Sequence, residues 1–139
     1  MIRILVVDDN PTVRQVLRLC LGLESDLAVV GEAGCGSEAL ALAQRLLPDV
    51  VIMDVAMPGM DGITTSERLR ELVPETGVVI LSVYDDAEVQ RRARQAGVTV
   101  YVPKQGTIEP LLAGIRQVAQ RFDDTFSPPK DRIEDQPSG

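Results

Sequence analysis

Five short apolar runs, each followed by a turn and a segment with helical spacing, constrain the fold of this chain more than any other feature. Runs so rich in Val, Ile and Leu are typical of strands that are covered on both faces, as in a parallel sheet. Because strand and helix patterns alternate, the sequence predicts an α/β fold with a doubly wound parallel sheet and helices on both faces. The predicted strands are residues 2–7, 27–30, 50–53, 78–81 and 99–102.

The segments between the strands carry apolar residues at the spacing of amphipathic helices. Asn10 and Pro11 have the residue types that cap and begin a helix, so the first helix is expected there. The fourth helical segment differs, because its apolar residues are few and small and three arginines, Arg91, Arg92 and Arg94, keep it polar. We therefore expect that helix to pack lightly against the sheet.

The 139 residues suit one domain, and the composition changes after Phe122 to Pro, Ser and charged residues with little to bury. We predict an ordered domain over residues 1–122 and a disordered tail or linker over 123–139. The net charge of −7 argues against binding of nucleic acid or an anionic membrane by this chain alone. No apolar run approaches the roughly 20 residues that cross a bilayer. Cys20 and Cys35 lack metal-ligand spacing, so we expect reduced thiols and a cytoplasmic location.

Polar residues follow four of the five predicted strands. The carboxyl ends of parallel strands meet at one edge, so these residues are expected to lie together there. If the first and third strands are neighbours, three carboxylates crowd one corner and repel each other unless a cation lies between them. Mg²⁺ suits such a corner, because it takes carboxylate oxygens and keeps waters that phosphate oxygens can replace. The residues are Asp8, Asp9, Asp54, Ser82 and Lys104.

Asp54 ends a buried run and precedes a turn rich in Pro and Gly. It either punctuates that turn or acts as a nucleophile, since aspartate forms acyl phosphates when a cation screens its charge. Ser82 and Lys104 carry the hydroxyl and ammonium donors that an anion on Asp54 requires. Asp61 is interpreted as a turn residue. Each residue alone fits a structural role, but their joint placement favours phosphoryl chemistry.

Four motifs together resemble those of the receiver domain of bacterial response regulators, the phospho-accepting part of two-component systems. The resemblance covers residues 2 to about 120, and it implies a flavodoxin-like sheet with strand order 2-1-3-4-5 and five helices. Residues 31–34 and 111–118 resemble the NarL-type (LuxR-class) subgroup, in which a receiver usually precedes a helix-turn-helix DNA-binding domain. The four motifs are Val6-Val7-Asp8-Asp9, residues 54–62, Leu81-Ser82 and residues 101–104.

The resemblance also implies a role for each candidate residue. Asp54 is expected to be the phosphorylated aspartate, and Mg²⁺ is expected on Asp8, Asp9, Asp54 and the backbone carbonyl of Ala56. Ser82 and Lys104 are expected to hold the phosphoryl oxygens. Tyr101 is expected to be the aromatic residue that turns inward when Ser82 moves toward the phosphate. Access of water to the phosphate is expected to depend on Ala56, Val83 and Tyr84.

The implied partners are a sensor histidine kinase and, on phosphorylation, a second copy of the chain. The chain is then a signalling protein rather than an enzyme, apart from slow loss of its own phosphate, and its output is transcription through a domain outside this sequence.

Three alternatives stay open. One is an interaction module with a receiver fold that works without phosphorylation. A phosphatase of the haloacid dehalogenase kind needs a carboxylate two residues after its nucleophile, where Ala56 stands. A flavodoxin-like cofactor binder needs a Gly- or Ser-rich phosphate loop, whereas the first turn offers two aspartates.

Overall fold

The structure is a computed structural model that describes residues 1–55, 61–82, 87–98, 100–104 and 106–126, without the side chains of 121–126. Strands and helices alternate throughout these residues, as predicted. The strands are β1 (Ile2–Val7), β2 (Leu27–Ala33), β3 (Val50–Asp54), β4 (Gly77–Ser82) and β5 (Val100–Pro103). The helices are α1 (Pro11–Leu21), α2 (Gly36–Leu46), α3 (Gly62–Leu72), α4 (Ala87–Gln95) and α5 (Glu109–Phe126).

The strands form one parallel sheet in the order β2-β1-β3-β4-β5, which confirms the predicted flavodoxin-like topology. β1 and β3 are therefore neighbours, with Val7 opposite Met53 at their carboxyl ends. The next residues along the two strands are Asp8 and Asp54. The strand order thus places these two carboxylates side by side, as the predicted crowding of carboxylates at one edge of the sheet requires.

Successive residues along each strand point to opposite sides of the sheet, and helices cover both sides. Leu5 and Val7 of β1 belong to the core layer that also contains buried residues of α2, α3 and α4. Ile4 and Val6 belong to the layer formed with α1 and α5. The result is a three-layer α/β/α domain whose loops at the carboxyl edge of the sheet carry the candidate site.

β2 is three residues longer than predicted, because Gly31 continues the strand rather than ending it. Gly31 pairs with Leu5, and the ladder runs on until Ala33 pairs with Val7. A Cβ on Gly31 would lie 2.8 Å from Cδ1 of Leu46 on α2. Glycine at this position therefore permits close packing of α2 against the sheet, which the local sequence does not reveal.

Two helices test the predictions of where the ordered domain ends and how lightly the fourth helix packs. α5 continues to Phe126, so the first four residues assigned to a disordered tail are helical, and residues 127–139 lie outside the described part. Within α4 the described structure buries only Ala93, which confirms the expected light packing of that helix.

The first helix begins where it was predicted. The side chain of Asn10 caps α1 by accepting hydrogen bonds from the backbone N–H groups of Thr12 and Val13, at 2.9 and 3.4 Å. Cys20 and Cys35 are free. Among the described residues, no helix combines the length and the apolar character needed to cross a membrane.

Candidate functional site

Three carboxylates meet at the carboxyl edge of the sheet and form what we call the acidic corner: Asp8, Asp9 and Asp54. One side-chain oxygen from each lies within 4.8 Å of the others. Asp8 is 2% exposed and Asp54 is 7% exposed, whereas Asp9 is open to solvent. Two of the three charges are therefore shielded from water, which strengthens both their mutual repulsion and their attraction for a cation.

Lys104 supplies positive charge to this corner. Its Nζ lies 2.8 Å from Oδ2 of Asp8 and 3.4 Å from Oδ1 of Asp54. Burial on its own would lower the pKa of Lys104, but the hydrogen bonds and charges of the two aspartates raise it above the ordinary value. The ammonium group is therefore firmly protonated at neutral pH.

A backbone hydrogen bond just after the end of β5 fixes the position of Lys104. The Lys104 N–H donates to the carbonyl of Ser82 at 2.7 Å, next to the paired residues Ser82 and Pro103. Ser82 itself is 1% exposed at the end of β4. The structure thus brings Ser82 and Lys104 to the edge that carries the acidic corner, as the motif spacing predicted.

Asp8 is held by several contacts. Its N–H donates to the carbonyl of Ala33 at 3.0 Å, which continues the β1–β2 ladder. Its Oδ1 accepts the N–H of Asn10 at 2.9 Å, and its Oδ2 faces Lys104. The orientation of this carboxylate is therefore set by the turn that precedes α1 as well as by the lysine.

Gly62 begins α3 directly against the end of β3. Its N–H donates to the carbonyl of Val55 at 2.9 Å. A Cβ at this position would lie 1.9 Å from the carbonyl oxygen of Asp54, far inside van der Waals contact. Glycine is therefore required here by the close approach of the α3 backbone to the strand that carries Asp54.

Asp61 is more than a turn residue. Its side chain caps α3 by accepting the N–H of Thr64 at 2.8 Å, and it also contacts Arg92 of α4 at 3.4 Å. Partial burial works to raise the pKa of Asp61, but the bond from Thr64 and the charge of Arg92 outweigh it and lower that pKa. A residue near the acidic corner thus links α3 to α4.

Tyr101 lies within β5, two residues before its end, and is half-buried. It packs on the core layer that contains Ala93 of α4. Ala56, Val83 and Tyr84, which the motifs place next to the phosphate, lie outside the described residues.

Sequence reasoning missed Arg14 and Glu32. Nη1 of Arg14 donates to the backbone carbonyl of Asp8 at 2.6 Å, and its Nε donates to Oε1 of Glu32 at 3.3 Å. Arg14 belongs to none of the motifs used for prediction, and an arginine on the polar side of an amphipathic helix is unremarkable by pattern. Glu32 lies in residues 31–34, whose resemblance to the NarL-type subgroup implied no role for it. The link between these residues and the site is visible only in the tertiary contact between α1 and the end of β1.

The donor set of the acidic corner fits Mg²⁺. Each of the three aspartates offers carboxylate oxygens, the hard ligands that this ion prefers. Octahedral coordination at about 2.1 Å requires ligand oxygens roughly 3 to 4 Å apart. The observed spacing is close enough for small side-chain rotations to meet that requirement.

Comparison with known sequences identifies relatives. The sequence pattern of the response regulator receiver domain matches residues 4–116. The response regulator GacA of Pseudomonas aeruginosa is 41% identical over 124 residues, which are 88% of this chain and 58% of that protein. The transcriptional regulatory protein YxjL of Bacillus subtilis is 37% identical over 119 residues, 86% of this chain and 55% of that protein. The chain therefore spans less than three fifths of these two relatives.

A third relative is an enzyme, but the match is confined to a small part of it. The protein-glutamate methylesterase/protein-glutamine glutaminase 2 of Methanospirillum hungatei is 43% identical over 100 residues, only 28% of that protein.

Solved structures agree in fold and family. The signal receiver domain of the response regulator NarL from Mycobacterium tuberculosis superposes with a TM-score of 0.80 at 34% identity, covering 86% of this chain and 96% of that one. A LuxR-family response regulator from Aurantimonas gives a TM-score of 0.83 at 30% identity, covering 87% of this chain and 86% of that one. From these relatives, the matching family pattern and the observed fold, we conclude that this chain belongs to the receiver domain family of two-component response regulators.

Proposed function

We propose that this chain accepts a phosphoryl group on Asp54 and that Mg²⁺ bound at the acidic corner is required for the transfer. The observation that carries the proposal is the meeting of three carboxylates within 4.8 Å, with the ammonium of Lys104 between Asp8 and Asp54. Asp8, Asp9 and Asp54 are the proposed side-chain ligands. The backbone carbonyl of Ala56 is added from the family motif alone.

The proposed donor is a phosphohistidine of a sensor kinase. An oxygen of Asp54 attacks the phosphorus atom in line, the P–N bond breaks, and the histidine ring leaves with the electron pair and takes up a proton. When bound, Mg²⁺ neutralises the developing charge on the phosphoryl oxygens. Lys104 contributes a second positive charge, 3.4 Å from Oδ1 of Asp54.

After transfer, Ser82 and Lys104 are the proposed donors to the phosphoryl oxygens. Tyr101 and α4 form the proposed switch, supported by the packing of Tyr101 on the core layer that contains Ala93 of α4 and by the small buried surface of α4. Phosphorylation can favour a second arrangement only through contacts that differ between the two states. Ala56, Val83 and Tyr84 are proposed, from the motifs, to govern access of water to the phosphate.

The partners follow from the same scheme. We propose a cytoplasmic histidine kinase domain as the donor and a second copy of the chain as the partner after phosphorylation. The output is proposed to be transcription through a helix-turn-helix domain, because the relatives are response and transcriptional regulators that are considerably longer than this chain. The chain itself is proposed to be a phosphate acceptor that slowly hydrolyses its own acyl phosphate.

The test is intact mass spectrometry after incubation with acetyl phosphate, with and without Mg²⁺. We expect one added phosphoryl group that depends on Mg²⁺ and that is absent in Asp54→Asn. Asp49→Asn is the matched control, since Asp49 precedes the opposite end of β3, where it accepts the N–H of Arg3 at 2.8 Å. That variant changes the same charge and is expected to phosphorylate normally.

Phosphorylation of Asp54→Asn to the level of the wild type would overturn Asp54 as the acceptor. If no condition gives an added phosphoryl group, including incubation with phosphorylated histidine kinases, the chain is an interaction module that works without phosphorylation.

A further inference from the structure

We propose that Arg14 is a positioning residue for the acidic corner, and that it acts by holding the peptide group between Asp8 and Asp9 in the orientation that binds Mg²⁺. The inference rests on the proposed function, because it assigns Arg14 a role in the same metal site. Among the described contacts, Arg14 makes none with a side-chain oxygen of Asp8, Asp9 or Asp54. Its contact is with the backbone between two candidate ligands.

The peptide group in question carries a candidate ligand on each side. Nη1 of Arg14 donates to the carbonyl oxygen of Asp8 at 2.6 Å. That carbonyl and the N–H of Asp9 belong to one planar unit, so fixing the carbonyl also fixes the direction of the N–H. The Cα atoms of Asp8 and Asp9 stay about 3.8 Å apart across this unit. A change in ψ of Asp8 or φ of Asp9, however, turns one Cα–Cβ bond relative to the other and would change the spacing of the two carboxylates.

Arg14 is itself held in place by contacts on two elements. Its backbone N–H donates to the carbonyl of Asn10 at 3.1 Å in the first turn of α1. Its Nε lies 3.3 Å from Oε1 of Glu32, a β2 residue that pairs with Val6 of β1. The Arg14 side chain is 21% exposed and that of Glu32 is 26% exposed, so the bridge is largely sheltered from water. The guanidinium group therefore spans from β2 to the end of β1 in a defined orientation.

If only the charge of Arg14 mattered, its removal would change the Mg²⁺ affinity in the opposite direction from the loss of a positioning contact. A guanidinium group near the site repels a divalent cation, so its removal would strengthen Mg²⁺ binding if electrostatics dominated. Removal would also leave Glu32 with Arg18 as its remaining described ion-pair partner, which adds uncompensated negative charge near the site. A loss of Mg²⁺ affinity on removing Arg14 would therefore indicate that its contact with the Asp8 carbonyl is what matters.

Arg18 provides a matched control within the same cluster. Its Nη1 lies 2.6 Å from Oε2 of Glu32, so Arg18 and Arg14 share one carboxylate. Among the described contacts, Arg18 makes none with the backbone of Asp8. Arg18→Ala removes the same charge from the same helix and leaves the proposed positioning contact intact.

The experiment is a titration of the full chain with MgCl₂ at constant ionic strength, followed by amide NMR. We expect Arg14→Ala to weaken Mg²⁺ binding about tenfold, in line with the loss of a group that orients metal ligands. Arg18→Ala is expected to bind as the wild type does. The amide resonance of Asp9 should shift in Arg14→Ala before Mg²⁺ is added, because its peptide group has lost a hydrogen bond at the carbonyl.

Two further variants separate positioning from folding. Arg14→Met keeps the length of the side chain without its donors, so it decides the question if Arg14→Ala does not fold, and it is expected to bind Mg²⁺ as weakly as Arg14→Ala. Arg14→Lys retains one donor group and is expected to recover part of the lost affinity. Urea unfolding of each variant establishes that the compared proteins are folded.

Wild-type or tighter Mg²⁺ binding by the folded Arg14 variants would overturn the proposal. Equal weakening in Arg18→Ala would also overturn it, because the effect would then belong to the ion-pair cluster. Failure of the wild type itself to bind Mg²⁺ would instead refute the proposed function, so the two failures are distinguishable.

Discussion

At the scale of single residues, the candidate site depends on which charges face one another. Lys104 lies against two of the three carboxylates and is held there by a backbone hydrogen bond to Ser82. Its ammonium group reduces the repulsion within the acidic corner. Because it lies 3.4 Å from Oδ1 of Asp54, it is also placed to bind a phosphoryl group on that residue. Its proposed role is therefore to couple phosphorylation of Asp54 to a conformational change in the neighbouring elements.

We predict that Lys104→Ala retains Mg²⁺ binding but uncouples phosphorylation from conformational change. The carboxylates that bind the ion remain, whereas the group that joins the phosphoryl oxygens to the end of β5 is lost. Amide NMR of α4 with acetyl phosphate and Mg²⁺ measures the coupling, after mass spectrometry has shown that the variant is phosphorylated. The expected result is phosphorylation without the α4 shifts seen in the wild type.

Lys130→Ala is the control for this variant, since Lys130 is the other lysine of the chain. It should respond as the wild type does. Wild-type α4 shifts in phosphorylated Lys104→Ala would contradict the proposed role of the lysine.

At the scale of elements, polar contacts in the described part of the chain link α4 to both ends of α3. Arg92 of α4 meets Asp61 at 3.4 Å, and Arg70 of α3 donates to the carbonyl of Ala96 at 3.1 Å. α4 buries little apolar surface, so these contacts account for a larger share of its attachment than such contacts do in a well-packed helix. A lightly packed element is the kind that a local change can move.

We predict that Asp61→Ala lowers the free energy of unfolding by about 1 kcal/mol at neutral pH, because the variant loses the helix cap. Asp61→Asn is the matched control; it keeps an acceptor for the Thr64 N–H and should cost only a few tenths of that amount, or about 0.3 kcal/mol. Urea unfolding of the three proteins measures the differences.

The pH dependence of the Asp61 contribution has a defined sign. The pKa of Asp61 is lowered from its ordinary value of 3.8 in the folded chain, so the charged form is favoured by folding. Its charge-dependent stabilisation is present above pH 3.8 and is lost as the pH falls through the lower folded pKa. The deficit of Asp61→Ala should therefore shrink in acid; a constant deficit at all pH values would contradict this account.

At the scale of the whole molecule, the sheet brings distant parts of the chain to the one edge that carries the candidate site. The net charge of −7 makes a direct grip on nucleic acid by this chain unfavourable. An output through transcription then requires a further domain, and phosphorylation must act through contacts between proteins or domains.

We predict that phosphorylation converts the chain from a monomer to a dimer. The measurement is light scattering coupled to size-exclusion chromatography, with acetyl phosphate and Mg²⁺ present throughout. We expect the scattering mass to rise toward about twice that of one chain, with a concentration dependence that obeys mass action. Asp54→Asn should stay at the mass of one chain, and a monomeric phosphorylated wild type at high concentration would refute dimerisation.

Much of the fold was predictable because the relevant signals are local. Apolar runs such as residues 50–53 indicate buried strands, and helical spacing between them implies crossovers on both faces of a parallel sheet. The residues at the strand ends, Asp54 and Lys104 among them, could be placed at one edge by topology alone. The predicted end of β2 was wrong. Gly31 continues that strand, and glycine is suited to this position because Leu46 of α2 packs closely against it.

The sequence by itself determined the α/β class, the order of strands and helices and the set of polar residues at the carboxyl edge, because these depend on the order and periodicity of side chains along the chain. Only the tertiary structure decided that Arg14 reaches the carbonyl of Asp8 and that Asp61 meets Arg92. Such contacts join separate elements, and they depend on side-chain directions and distances that packing sets. No local pattern in the sequence encodes them.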